Sequence, residues 1–176
     1  MTVAQSWRMT GKHAKAPKAY DAVGLERLAM HYVARYATSE TRLRGYLLRK
    51  LTMGDEPESS ALIVATIVAK MVRLGFVDDP AYAEMRAGAL LRRGYGARRV
   101  AGALREAGIS ADVVHTAIEA VPISSSEAAE RYAKRRRIGP YSDAIPTREL
   151  RQRAIAKLLR AGHSYDDSLA VFNGWE

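Results

Sequence analysis

Residues 99–108, RVAGALREAG, form a short amphipathic pattern, here stopped by a glycine, that recurs twice more in the chain. RLRGYLLRKL (42–51) and RAIAKLLRAG (153–162) align with it without gaps, at spacings of 57 and 54 residues. Each decamer begins with arginine (Arg42, Arg99, Arg153), has a small residue at the fourth place (Gly45, Gly102, Ala156) and has leucine at the sixth (Leu47, Leu104, Leu158). The second and sixth places lie four residues apart, so Leu43/Leu47, Val100/Leu104 and Ala154/Leu158 each share one helix face. The small fourth residue is expected to admit a neighbouring helix beside that stripe. Recurrence at this period is the mark of a repeat architecture.

Outward from the decamers, helix punctuation is dense. Ser39 precedes ETRLRGYLLRKL, Asp79-Pro80 places a capping carboxylate before a proline at the first helical position, and Ser124 with Glu127 forms a capping box. Gly75, Gly94, Gly108, Gly139 and Gly162 each follow an apolar-periodic run, where a left-handed cap favours glycine. LIVATIV (62–68) has strand-like composition, but Ile63, Ile67, Met71 and Leu74 keep helical intervals, so it belongs to a helix. The expected helices are 22–37, 39–52, 58–74, 79–93, 97–107, 110–121, 125–138, 147–161 and 164–173. The fold class is all-α, in tandem three-helix modules. The divisions are a basic tail at 1–20, expected to be disordered, and modules at 21–76, 77–122 and 123–176. Units of about 50 residues bury too little to be robust alone, so they are expected to lean on one another.

Of 176 residues, 28 are Lys or Arg and 19 are Asp or Glu, a formal charge of +9, which favours polyanionic or acidic-surfaced partners. The excess is uneven: residues 1–20 carry +4, 86–106 carry +5 and 128–160 carry +7. The absence of cysteine excludes disulfides, thiolate zinc sites and cysteine nucleophiles. No apolar run reaches the roughly 18 residues of a membrane span, and the start of the chain lacks a signal-peptide core, so a soluble cytoplasmic protein is expected.

Motifs for chemistry are missing. Asp78-Asp79 and Asp166-Asp167 sit at helix starts, where capping and the dipole explain them better than metal binding. Gly94-Tyr95-Gly96 lacks the third glycine, the preceding strand and the Lys-Ser/Thr ending of a nucleotide loop, and fits a joint between helices with Tyr95 plugging the seam. The four histidines form no HxxxH or HExxH pattern. No catalytic residue, cofactor site or metal site is assigned. The basic clusters remain: Arg92, Arg93, Arg98 and Arg99 around Tyr95, and Lys134, Arg135, Arg136 and Arg137 at a helix end. Charges of one sign, unmixed, suit a surface for an acidic protein face or a nucleic-acid backbone.

LGFVDDPAYAEMRAGALLRRGYGARRVAGALREAGI (74–109) resembles the central module of the RecX family, in which Leu-Gly-aromatic, a paired Asp, an aromatic-Ala and an Arg-Gly-x-Gly-x-Arg joint recur in that order. SETRLRGYLLRKL resembles the first module and LRQRAIAKLLRAGHSYDDSLAVF the third, so the resemblance spans about residues 25–172. It implies an elongated, curved array without cofactor or catalytic residues. Such proteins regulate homologous recombination and DNA repair by binding the RecA filament and restraining its ATPase, strand-exchange and coprotease activities. Some also bind single- or double-stranded DNA weakly, and a monomer is expected. By position, Arg92, Arg93, Arg98 and Arg99 are contact candidates, and so is the stripe Lys134 to Arg137 with Arg148, Arg151 and Arg153. Two departures stand out: Leu51 replaces the glycine of the other decamers, and TMGDEPESS follows it where a tight joint is expected. The alternative from another class is a DNA-binding protein built from helix-turn-helix modules.

Overall fold

The computed structural model describes residues 20–51, 57–143, 145 and 147–173. The expected tail at 1–20 lies outside these residues except for Tyr20, and so does most of the segment after Leu51. Among the described residues the chain is helical without a strand: α1 (Ala22–Val33), α2 (Glu40–Leu48), α3 (Pro57–Arg73), α4 (Asp79–Arg92), α5 (Ala97–Glu106), α6 (Ala111–Glu119), α7 (Ser125–Arg136), a 3-10 turn at Gly139–Tyr141, α8 (Arg148–Arg160) and α9 (Tyr165–Ala170).

The helices pack in threes around three apolar clusters. Leu25 and Ala29 of α1, Leu43 and Leu47 of α2, and Val64, Ile67, Val68 and Met71 of α3 form the first. Tyr82, Ala87 and Leu91 of α4, Val100 and Leu104 of α5, and Val114 and Ala117 of α6 belong to the second. The third is smaller and rich in alanine: Ala129 and Ala133 of α7, Ile138, Ala154 and Leu158 of α8, and Phe172. The clusters interlock, because Val77 packs in the first and Ala128 of α7 in the second.

Local expectations meet four corrections. The second and sixth places of every decamer are buried, but the fourth place is not a helix contact: a Cβ on Gly102 would meet nothing within 4 Å, and one on Gly45 only the Arg49 guanidinium. Two residues along a helix is a rotation of about 200°, so the fourth place faces away from the buried stripe. Asp78, not Asp79, caps α4, its carboxylate accepting from the Ala81 amide at 2.8 Å. Asp79 and Pro80 both lie inside the first turn. In α3 the buried stripe is Val64, Ile67, Val68 and Met71; Leu74 follows the end of the helix and is exposed. The capping box is half formed, since Ser124 accepts from the Glu127 amide at 3.2 Å while the Glu127 carboxylate pairs with Arg131 at 2.6 Å.

The decamer helices α2, α5 and α8 meet end to end. At the start of α5 the amides of Gly96 and Arg98 donate to the carbonyls of Ala161 and Gly162, at 3.0 and 3.2 Å, at the end of α8. At its other end the Ala107 carbonyl accepts from the hydroxyl of Ser39, the N-cap of α2, at 2.5 Å. The carboxylate of Asp79 accepts from the Glu40 amide at 2.9 Å beside it. At the α8–α5 junction free N–H groups at the start of one helix thus meet free carbonyls at the end of the other, and at the α5–α2 junction the capping hydroxyl of Ser39 takes that place.

This junction explains the decamer's last place. Gly108 (φ 83) and Gly162 (φ 96) turn the chain left-handed, and a Cβ on either would collide with the helix docked against it, at Thr41 and at Arg99. α2 is last in the row, and there Leu51 packs against the first core instead.

Candidate functional site

The seam between the second and third clusters gathers aromatic and basic residues. Gly94 (φ 79) lies so close to the backbone of α7 that a Cβ would collide with Tyr132, and its carbonyl sits 3.1 Å from Nε2 of the buried His163. Nδ1 of His163 is buried with no hydrogen-bond partner among the described residues. Burial pushes the imidazole below its ordinary value of 6.5, against the Gly94 carbonyl and Asp167, which favour the cation.

Flanked by two glycines with no side chains to compete, Tyr95 spans this seam. Its ring lies 6.0 Å from that of Tyr132 in α7, and Tyr132 stands 5.9 Å from His163. Three guanidiniums surround Tyr95, with Arg93 at 5.8 Å, Arg99 at 4.9 Å and Arg135 at 5.2 Å from the ring centre. Arg135 and Arg136 stand 5.6 and 5.9 Å from the Tyr132 ring. A hydrogen bond with Arg135, then the charges of Arg135, Arg93 and Arg99, hold the Tyr95 hydroxyl below its ordinary value of 10.0, with desolvation opposing them. Tyr95 therefore plugs the seam between the second and third clusters rather than only that between α4 and α5. It also joins two basic runs that are about forty residues apart in sequence. None of these arginines has a carboxylate within 4.0 Å among the described residues. Cation–π contact of this kind contributes about 0.5–1 kcal/mol at exposed sites, enough to hold guanidiniums in place but not to neutralise them.

Beside this cluster the α5–α8 junction opens a groove of about 630 Å³. Arg98, Arg99, Arg105 and Arg160 line it together with Gly102, Ala103 and Leu159, and Glu106 is the acidic residue among them. Gly102 thus keeps the groove open. Arg105 and Arg160 are additional candidates that the sequence pattern did not mark. They end separate helices, and only the docking of α8 onto α5 brings Arg160 to Arg98.

The remaining candidates disperse. The Arg92 guanidinium folds against Gly88 of its own helix. Lys134 pairs with Glu130 at 2.8 Å and lies 5.3 Å from the Tyr141 ring, and Tyr141 donates to Glu130 at 2.7 Å. Those two bonds, Lys134 first, hold the Glu130 carboxyl below its usual range. Arg137 and Arg153 line a separate pocket with Lys157. Arg148 and Arg151, in the first turn of α8, line neither the groove nor that pocket. Among the described residues no group of three or more His, Cys, Asp or Glu is arranged to hold a metal ion, and no helix is long and apolar enough to cross a membrane.

Residues 78–118 match the model of the second three-helix domain of RecX. The regulatory protein RecX of Myxococcus xanthus is 36% identical over 159 residues, covering 86% of this chain and 85% of its own length. The chain belongs to the RecX family. The regulatory protein RecX of Mycobacterium sp. strain JLS is 30% identical over 152 residues, 83% of this chain and 80% of that one. Two crystal structures share the fold, each with a TM-score of 0.67. One, of regulatory protein RecX, is 19% identical and covers 86% of this chain and 73% of its own; the other, of RecX from Lactobacillus salivarius, is 16% identical and covers 88% and 96%. The RecX relatives match well past the α4–α6 domain.

Proposed function

We propose that this protein regulates homologous recombination in the cytoplasm by binding the RecA–DNA filament and restraining its ATPase, strand-exchange and coprotease activities. The link to RecA is what membership of the RecX family implies. The observation that carries the contact surface is the cluster of Arg93, Arg99 and Arg135 around Tyr95, continued by Arg98, Arg105 and Arg160 in the groove. Unpaired guanidiniums beside aromatic rings attract a nucleic-acid backbone and offer a stacking face to a base. The three modules, at 21–76, 77–122 and 123–176, act as a row that spreads this contact over several protomers. α2, α5 and α8, with 9, 10 and 13 residues, give the row a contour of about 48 Å of helix at about 1.5 Å per residue. The mode is non-enzymatic: occupancy of the filament slows the rearrangement that hydrolysis and strand exchange require.

The helix-turn-helix alternative has one observation in its favour, the α4–glycine joint–α5 arrangement with a basic outer face on α5. A recognition helix, however, reads base edges with its N-terminal residues, and in α5 the Gly96 and Arg98 amides are engaged by α8. The test is inhibition of the RecA ATPase on single-stranded DNA by the variant carrying Arg93→Ala, Arg99→Ala and Arg135→Ala. Weakened inhibition with unchanged helicity supports the surface; equal inhibition by a folded variant removes it. Tight, sequence-specific duplex binding with no effect on RecA moves the assignment to the alternative.

A further inference from the structure

A pocket of about 280 Å³ opens between the end of α7 and the edge of α8's buried face, apart from the tyrosine cluster. Leu150, Arg153, Ala154 and Lys157 supply one wall and Arg137, Ile138, Gly139 and Ser142 the other. The α8 residues are spaced i, i+3, i+4 and i+7, a single helix face, so the apolar and basic groups point the same way by construction. Arg153 and Lys157 are like charges four apart, an arrangement that weakens a helix slightly. Among the described residues, neither Lys157 nor Arg137 has a carboxylate within 4.0 Å, and Arg153 has only Glu149 at 3.8 Å.

Arg137 adds an independent signal. Five glycines take positive φ in this chain, and Arg137 (φ 50) is the one other residue that does so among those described. Gly75, Gly94, Gly108 and Gly162 mark the ends of α3, α4, α5 and α8, whereas α7 closes on an arginine held left-handed. An L side chain is strained there and glycine is not, so the charge is kept at a conformational cost. Its side chain is spent on the pocket's rim.

We propose that this pocket docks an acidic peptide segment carrying one large apolar side chain, the side chain entering between Ile138, Leu150 and Ala154 and its neighbouring carboxylates meeting Arg137, Arg153 and Lys157. The volume lies just below the range of ligand pockets, which begins at about 300 Å³, and so suits a side chain. Guanidiniums match carboxylates two bonds at a time. Nucleic acid is the weaker fit. None of the lining residues is aromatic, so a base has nothing to stack on, and a phosphate leaves the hydrocarbon floor bare. The inference deepens the function proposed above by giving these cations a protein partner and leaving the DNA backbone to the Tyr95 cluster, but its test needs no RecA.

The probe is a fluorescein-labelled octapeptide alternating aspartate with leucine and phenylalanine, titrated with the full chain and followed by anisotropy. Saturable binding is expected, at least tenfold weaker for the Arg153→Glu, Lys157→Glu protein, for Leu150→Ser, and for a peptide with asparagine replacing aspartate. Arg93→Ala with Arg99→Ala leaves it unchanged, and a single-stranded oligonucleotide fails to displace the peptide. If the charge-reversed protein loses helicity, Arg153→Gln with Lys157→Gln serves in its place. No saturation at about 1 mM peptide, the edge of specific affinity, overturns the proposal. So does equal binding by the pocket variants, or one-for-one displacement by the oligonucleotide.

Discussion

The end-to-end docking of α8 onto α5 makes Gly96 a position where local helix stability and assembly pull in opposite directions. Gly96 is the N-cap of α5, with φ −77 and ψ 158, a conformation open to any residue, and it makes no side-chain capping bond. Serine is a preferred N-cap, so Gly96→Ser leaves the isolated helix unchanged or favours it by a few tenths of a kcal/mol. Across the junction the same Cβ collides with the backbone of Gly162 and His163, where no side chain can rotate away. Relief requires α8 to withdraw. That breaks the Gly96–Ala161 and Arg98–Gly162 hydrogen bonds and strains the one from His163 to Gly94. At about 1 kcal/mol for each bond, the substitution destabilises the junction by about 2–3 kcal/mol. The loss falls on the third cluster, whose small, alanine-rich core depends most on its neighbour. Urea unfolding followed by helical circular dichroism should move to lower midpoint, or split into two steps. The Arg98 amide should lose its protection from hydrogen exchange. A Gly96→Ser protein with wild-type midpoint and a protected Arg98 amide would refute the head-to-tail account.

Other expectations follow from the same geometry. Gly102→Ala, in open space within α5, should raise stability by about 0.5–1 kcal/mol, the difference between the two residues in a helix interior; a loss in thermal unfolding would contradict the open space around it. His163 is held neutral by burial, so its folded pKa lies below its unfolded one and the unfolded chain takes up the proton first as pH falls. Its contribution is intact above about pH 6.5 and declines below it, by at most about 1.4 kcal/mol per pH unit. Denaturation at pH 7 and pH 5 should therefore show a larger loss for the wild type than for His163→Gln, and equal losses would assign the pH dependence elsewhere. In binding to single-stranded DNA, alanine at Arg93, Arg99 and Arg135 should flatten the dependence of affinity on salt by about 0.7 in log–log slope per lost phosphate contact. An unchanged slope, measured by titration over a range of salt, would take these arginines off the DNA.

What was legible in the sequence obeys rules that act within one turn of helix. The stripes Leu43/Leu47, Val100/Leu104 and Ala154/Leu158 are buried as their spacing required, and Gly75, Gly94, Gly108, Gly139 and Gly162 all take left-handed conformations. Asp78 displaced Asp79 as the cap of α4 because proline is tolerated at either of the first two helical positions, so Asp-Asp-Pro leaves a register ambiguity of one residue. The site was legible only in pieces. Arg93, Arg99 and Tyr95 were visible as a joint, but Arg135 reaches them through the packing of α7 on α4, and Arg160 reaches Arg98 through a junction between helix ends. Contacts of that range depend on backbone carbonyls and glycine surfaces, which carry no periodicity. The same junction gives Leu51 its meaning: the decamer glycines serve docking as well as helix termination, and among the described residues the end of the row receives no further helix.

Action of this array on RecA within its DNA filament can be read from the rate of ATP hydrolysis by RecA on single-stranded DNA with increasing amounts of this protein. Inhibition is expected at fewer than one molecule per RecA protomer, relieved when Arg93, Arg99 and Arg135 are alanine. An unaltered ATPase at equimolar protein, with the chain folded and the filament formed, would contradict it.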